Sequence, residues 1–275
     1  SILVPQPKLG FRLYYLCRLL WTPKVQYRER SATVTNINLL ILKQLLRMST
    51  LEQRYQTVRA HIYSACEQKH RSKEEVLLLA VSKTKPAHMV ETLYQLGQRA
   101  FGENYLQDAV EKITKLAHLC DIEWHFIGPI QSNKTRVIAE HFQWVETLDR
   151  EKIAQRLNDH RPKTLAPLKV LIQVNISRED QKSGIAPEQV EVLAKFIEQL
   201  PHLSLQGLMC IPEATDDESI LAAQFDEMQQ LLKQLTNNHP QCTVLSMGMS
   251  NDLALAIQHG SSQVRIGTDI FGSRD

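Results

Sequence analysis

No two cysteines in the 275-residue chain are spaced C-x-x-C, and the five present, Cys17, Cys66, Cys120, Cys210 and Cys242, are odd in number and far apart. Such spacing describes neither a disulfide framework nor a thiolate metal site, and it fits a reducing, cytoplasmic setting. An HExxH helix, a Walker-type loop and a G-x-G-x-x-G turn are absent, and the ten histidines do not cluster at ligand spacing. Metal hydrolysis and nucleotide chemistry both lose ground. Long apolar runs are lacking too: FRLYYLCRLLW (11 to 21) is too short, and too interrupted by arginine, to span a bilayer.

Acids are scarce at the start. Residues 1 to 47 hold eight Lys/Arg and only Glu29, which leaves 24 basic against 29 acidic residues in 48 to 275. A mildly acidic body without a basic stripe argues against a nucleic-acid partner. The first 47 residues are expected to be an extension outside the fold, upstream of a start at Met48, with a transit or membrane-surface segment as the alternative.

What is present is periodic. Leu51, Tyr55, Val58, Ile62 and Ala65 fall on one helical face. VLLLAVS (76 to 82) then reads as a strand, and Pro86 opens a helix that runs through Met89, Val90, Leu93 and Leu96 to Gly97. The unit recurs with strands RAFGEN (99 to 104), EWHFIG (123 to 128), WVETL (144 to 148), LKVLIQVN (168 to 175), LSLQGLMCI (203 to 211), TVLSMG (243 to 248) and QVRIG (263 to 267). Strands apolar on both parities belong to parallel sheets covered by helices. Eight strands with seven intervening helices predict a single-domain α/β fold over 48 to 275, a (β/α)8 TIM barrel with an extra N-terminal helix. An open doubly wound sheet is the alternative, disfavoured because no Gly-rich turn marks a switch point.

Barrel chemistry sits at the C-terminal ends of the strands. Those positions hold Lys83 and Lys85, Glu103 and Asn104, the stretch 128 to 134, Asn175, Ser246 to Ser250, and Arg265, Gly267 and Thr268. SMGMSND and RIGTDIFG offer hydroxyls and glycines where an anion could be held by backbone N–H groups. Ser250 or Asn251 equally suits the N-cap of the following helix. A lysine facing an anion pocket suits a phosphorylated carbonyl ligand, since a desolvated amine becomes a nucleophile. Lys83 and Lys85 share strand parity, so alternation does not choose between them.

LLAVSKTKP, FGENYLQ, WHFIGPIQSNK, LIQVNIS with QKSG, and SMGMSNDLALAI with GSSQVRIGTDIFG together resemble the pyridoxal-phosphate (PLP) homeostasis proteins, which share the fold of the alanine racemase N-terminal domain. The resemblance runs from Met48 to the end. It implies PLP as cofactor and Lys83 as the Schiff-base lysine. It further implies Ser250 and Gly267–Thr268 at the phosphate with Ser246 and Met247 beside them, Arg265 at the pyridine nitrogen, and Asn104 in the pocket. Gln131, Asn133 and Lys134 are weaker rim candidates. A guanidinium at the ring nitrogen favours neutral pyridine and weakens carbanion stabilisation. The expected role is therefore PLP buffering or delivery, to apo-enzymes that need it, by a non-catalytic monomer that binds neither membrane nor metal. A small amino-acid racemase is the alternative, with a sugar-phosphate aldolase-like barrel behind it.

Overall fold

The computed structural model describes residues 50–273; the expectation for residues 1 to 47 lies outside the described residues. Eight parallel strands close into a barrel in sequence order. They are β1 (Leu77–Val81), β2 (Ala100–Glu103), β3 (Glu123–Phe126), β4 (Trp144–Leu148), β5 (Leu168–Val174), β6 (Leu203–Cys210), β7 (Val244–Ser246) and β8 (Gln263–Ile266). The helices are α1 (Thr50–Gln68), α2 (Ala87–Gln95), α3 (Leu106–Lys115), α4 (Thr135–His141), α5 (Glu151–His160), α6 (Val190–Glu198), α7 (Glu218–Asn238), α8 (Leu253–Gln258) and α9 (Thr268–Phe271). The closed order of the strands removes the open-sheet alternative.

Helix α1 buries Leu51, Tyr55, Val58, Ile62 and Ala65, the face set by their spacing, together with Cys66. It packs on α8 and α9 and so covers the seam where β8 meets β1. The Tyr55 hydroxyl donates to Gln98 Oε1 at 3.1 Å, and the Gln98 amide donates to the Leu78 and Ala100 carbonyls. One polar side chain thereby joins the added helix to β1 and β2. The main apolar cluster contains residues such as Leu93, Ala109, Ile138, Leu157, Ile197 and Phe225, which the helices bring against the strands.

Register is broken between Val170 and Leu171, where β6 is out of step with β5. Gly207 absorbs the irregularity with φ +150, and a Cβ there would lie 1.9 Å from the Val244 carbonyl oxygen. Only glycine allows that approach. The short helix α9 has no counterpart among the seven helices expected from the pattern, since four residues make about one turn and show no periodicity.

Candidate functional site

Side-chain direction along the strands decides what faces the barrel interior. Arg265 donates to the Ser246 hydroxyl at 2.8 Å and to the Cys210 carbonyl at 2.8 Å. Ser246 donates to Glu146 Oε2 at 2.8 Å, while Gln263 and His125 Nδ1 each reach Glu146 Oε1 at 2.6 Å. Contacts joining β3, β4, β7 and β8 pass through the middle of the barrel, so Arg265 points inward. Leu79 is its register partner on β1. Alternation then assigns Leu79, Val81 and, past the strand end, Lys83 to the interior side.

Ser82 confirms the parity from the other side. Its hydroxyl donates to Glu103 Oε1 at 2.5 Å, and Lys112 on α3 donates to the same oxygen at 2.6 Å. Ser82 and Glu103 therefore face the helical layer, and Glu103 does not take the place at the mouth expected for a rim carboxylate. Asn104, next along the chain, has the inward parity. Its Oδ1 is buried without a hydrogen-bond partner among the described residues.

Lys83 and Lys85 separate here. Lys85 Nζ donates to the Ser273 carbonyl at 2.7 Å, toward the end of the described chain. Lys83 is half-buried at the end of β1, flanked by the ends of β2 and β8. Thr84 follows in the left-handed region at φ 63.

The two glycine-containing ends lie side by side on β7 and β8. Helix α8 begins only at Leu253, with Asp252 in the cap position and Asp252 Oδ1 accepting from the Met249 N–H at 2.5 Å. Ser250 is thus not the N-cap. Burial pushes the Asp252 carboxyl up, while that N–H bond and Arg265 pull it back. Among the described residues, the N–H groups of Ser250, Gly267 and Thr268 and the two hydroxyls carry no hydrogen bond. Gly267 approaches β1 closely, since a Cβ on it would lie 3.3 Å from the Val81 carbonyl oxygen.

Ser246 and Met247 sit elsewhere. The Ser246 hydroxyl is committed to the interior network. Met247 is in the apolar core, and its N–H and carbonyl are paired with Gln263 and Ser261. Gln131, Asn133 and Lys134 are exposed on the loop after β3. Asn175 folds its own loop by donating to the Glu179 carbonyl at 2.9 Å.

His125, Glu146 and Gln263 were not singled out by sequence reasoning, although polar residues inside apolar strands were a usable signal. Burial pushes the Glu146 carboxyl up, but the hydrogen bond and charge of His125 and the charge of Arg265 outweigh it and hold the group below its ordinary range. Because a carboxylate only accepts, His125 Nδ1 carries the proton of their bond. Arg265 is 6% exposed and has committed only two of its five N–H groups by these contacts. A permanently charged donor remains available to a ligand atom that accepts, which suits a neutral ring nitrogen. With unpaired N–H groups for a phosphate, an unpartnered amide oxygen at Asn104 and an inward lysine, the residues present fit PLP.

Residues 50–275 match the family described as alanine racemase, N-terminal domain. The pyridoxal phosphate homeostasis protein of Pasteurella multocida is 54% identical over 229 residues, covering 82% of this chain and 98% of that one. Among solved structures, PipY of Synechococcus elongatus PCC7942 with PLP bound is 32% identical, with a TM-score of 0.67, over 77% of this chain and 100% of that one. An alanine racemase of Clostridium difficile 630, 12% identical with a TM-score of 0.62, matches 78% of this chain and 56% of its own, a likeness of fold alone.

Proposed function

The chain belongs to the family of the pyridoxal phosphate homeostasis proteins, built on the alanine racemase N-terminal domain, and from that premise we propose that it holds PLP as a Schiff base on Lys83 and buffers or delivers it inside the cell. The observation that carries the reading is the buried Arg265, a donor-only group on the interior side of the strand next to the one that ends in Lys83.

Bound PLP supplies an aldehyde that condenses reversibly with an amine. Lys83 is the residue that would hold the aldehyde: its Nζ would supply the electron pair for the C–N bond, with the aldehyde oxygen and both protons of the neutral amine leaving as water. Asn104 lies on the interior side at the neighbouring strand end and offers an acceptor to a ring substituent. Ser250, Gly267 and Thr268 offer N–H and O–H donors to the phosphate, so that affinity does not depend on the covalent bond alone.

Arg265 supports the reading as a store. A carboxylate at the ring nitrogen would keep it protonated and draw electrons from the reacting carbon, whereas a guanidinium stabilises the neutral ring. The residue set therefore favours holding the cofactor over abstracting a proton from an amino acid. A cytoplasmic monomer that passes PLP to apo-enzymes is the corresponding cellular role. Among the described residues no helix is long and apolar enough to cross a membrane.

The test is to load the purified protein with PLP, remove free ligand by gel filtration, and assay retention, transfer to a PLP-requiring apo-enzyme, and interconversion of L- and D-alanine. Retention and transfer without racemisation above the buffer rate is the expected result. Sustained racemisation by the pure protein would make it an enzyme instead.

A further inference from the structure

Helix α3 does more than cover β1 and β2. Lys112, 3% exposed, donates to the Ser82 carbonyl at 2.8 Å and to Glu103 at 2.6 Å, and Asp108 lies 3.4 Å from the same ammonium. Asp108 Oδ2 also accepts from the Thr84 N–H at 3.3 Å. The two peptide groups on either side of Lys83 are therefore both held by α3, one through its carbonyl and the other through its N–H.

That bracket encloses a strained turn. The Lys85 N–H donates back to the Ser82 carbonyl at 3.1 Å, closing a four-residue turn with Lys83 and Thr84 in the middle. Thr84 takes the third position at φ 63, which a type II turn reserves for glycine or asparagine. A β-branched residue there is strained and persists only where its surroundings hold it. Buried ion pairs are poor sources of stability, because desolvation offsets most of the attraction. Lys112 and Glu103 are better understood through what they fix. Once both flanking peptides are fixed, the two backbone dihedrals of Lys83 are fixed, and so is the direction in which its side chain leaves the rim.

We propose that Asp108 and Lys112 are positioning residues for Lys83, holding its two peptide groups so that the amine is aimed at the aldehyde of bound PLP. The inference rests on the proposed attachment at Lys83. It separates two steps: α3 sets covalent capture, while the donors on β7 and β8 set non-covalent retention. Loss of the bracket then lowers the fraction of bound PLP that is covalently attached, with the phosphate still held.

The experiment uses the full chain saturated with PLP. Total bound PLP is measured after gel filtration, the covalent share by borohydride reduction, the labelled lysine by peptide mapping, and the fold by melting of the apo-protein. The variants are Asp108→Ala, Asp108→Asn, and Lys112→Met combined with Glu103→Gln so that no lone charge stays buried. Asp108→Ala and the paired variant are expected to lower the ratio of covalent to total PLP about tenfold, the size of one charge-assisted hydrogen bond. Asp108→Asn keeps an acceptor for Thr84 and restores the ratio. A purely structural role would lower melting temperature and total binding together and leave the ratio unchanged; that result, or no restoration by asparagine, overturns the proposal. Mapping on the unmodified protein tells this failure from the other one: label on a lysine other than Lys83 overturns the attachment itself, and the positioning role with it.

Discussion

Arg265 donates to the Ser246 hydroxyl at 2.8 Å, and that hydroxyl donates onward to Glu146 at 2.8 Å. The positive group beneath the mouth is thus anchored through a neutral relay to a buried carboxylate on the opposite side of the barrel. The arrangement holds the guanidinium still and leaves its remaining donors uncommitted by these contacts.

Replacing Arg265 tests that role. Arg265→Gln leaves Glu146 with His125 as its only charged partner among the described residues and strips Ser246 and the Cys210 carbonyl of a donor, and is expected to destabilise the apo-protein by about 2 kcal/mol. PLP should still bind, with its absorption displaced toward the ring-protonated form. An unchanged spectrum at saturating PLP would count against contact between Arg265 and the ring.

The phosphate assignment makes a separate prediction. Ser250→Ala together with Thr268→Ala removes two hydroxyl donors from a half-open site and should weaken PLP by about tenfold or more, at roughly 1 kcal/mol per hydrogen bond. The melting temperature of the apo-protein should hold, because neither hydroxyl has a hydrogen-bond partner among the described residues. Retained affinity in a PLP titration places the phosphate elsewhere.

Two buried carboxylates act on stability with opposite sign. The Glu146 carboxyl lies below its ordinary value of 4.5, so its contribution is complete above 4.5 and is lost as pH falls through the depressed value. For Glu103, burial pushes the value up and Lys112 only partly offsets it. Its unfavourable contribution is absent below 4.5 and develops as pH rises through the raised value. Glu146→Gln should therefore flatten the acid limb of a stability profile from urea titrations, whereas Glu103→Gln leaves that limb in place. An acid limb unaltered in Glu146→Gln would remove that carboxylate from the account.

Most of the barrel is legible in the sequence because strands such as LKVLIQVN are apolar on both parities and each is followed by a one-sided helix. The rim list is legible for a similar reason, since polar residues and glycines collect just past those runs. What the rim list could not give is which way the last residue of a strand turns: Glu103, placed at the mouth, faces α3, and Ser246, expected beside the phosphate, serves Arg265. Partners so distant in sequence are invisible to local pattern, as with Glu146 and Ser246, 100 positions apart. Parity left Lys83 and Lys85 open and only the family resemblance favoured Lys83; the contact that sets Lys85 apart, with Ser273, is one that no periodicity encodes.

The central claim is that one particular lysine carries the cofactor, and borohydride trapping of PLP on the unmodified chain, Lys83→Ala and Lys85→Ala, followed by peptide mapping, tests it most directly. Label on Lys83, lost in Lys83→Ala and retained in Lys85→Ala, is the predicted result. Undiminished trapping in Lys83→Ala, or no trapping in the unmodified chain, would contradict it.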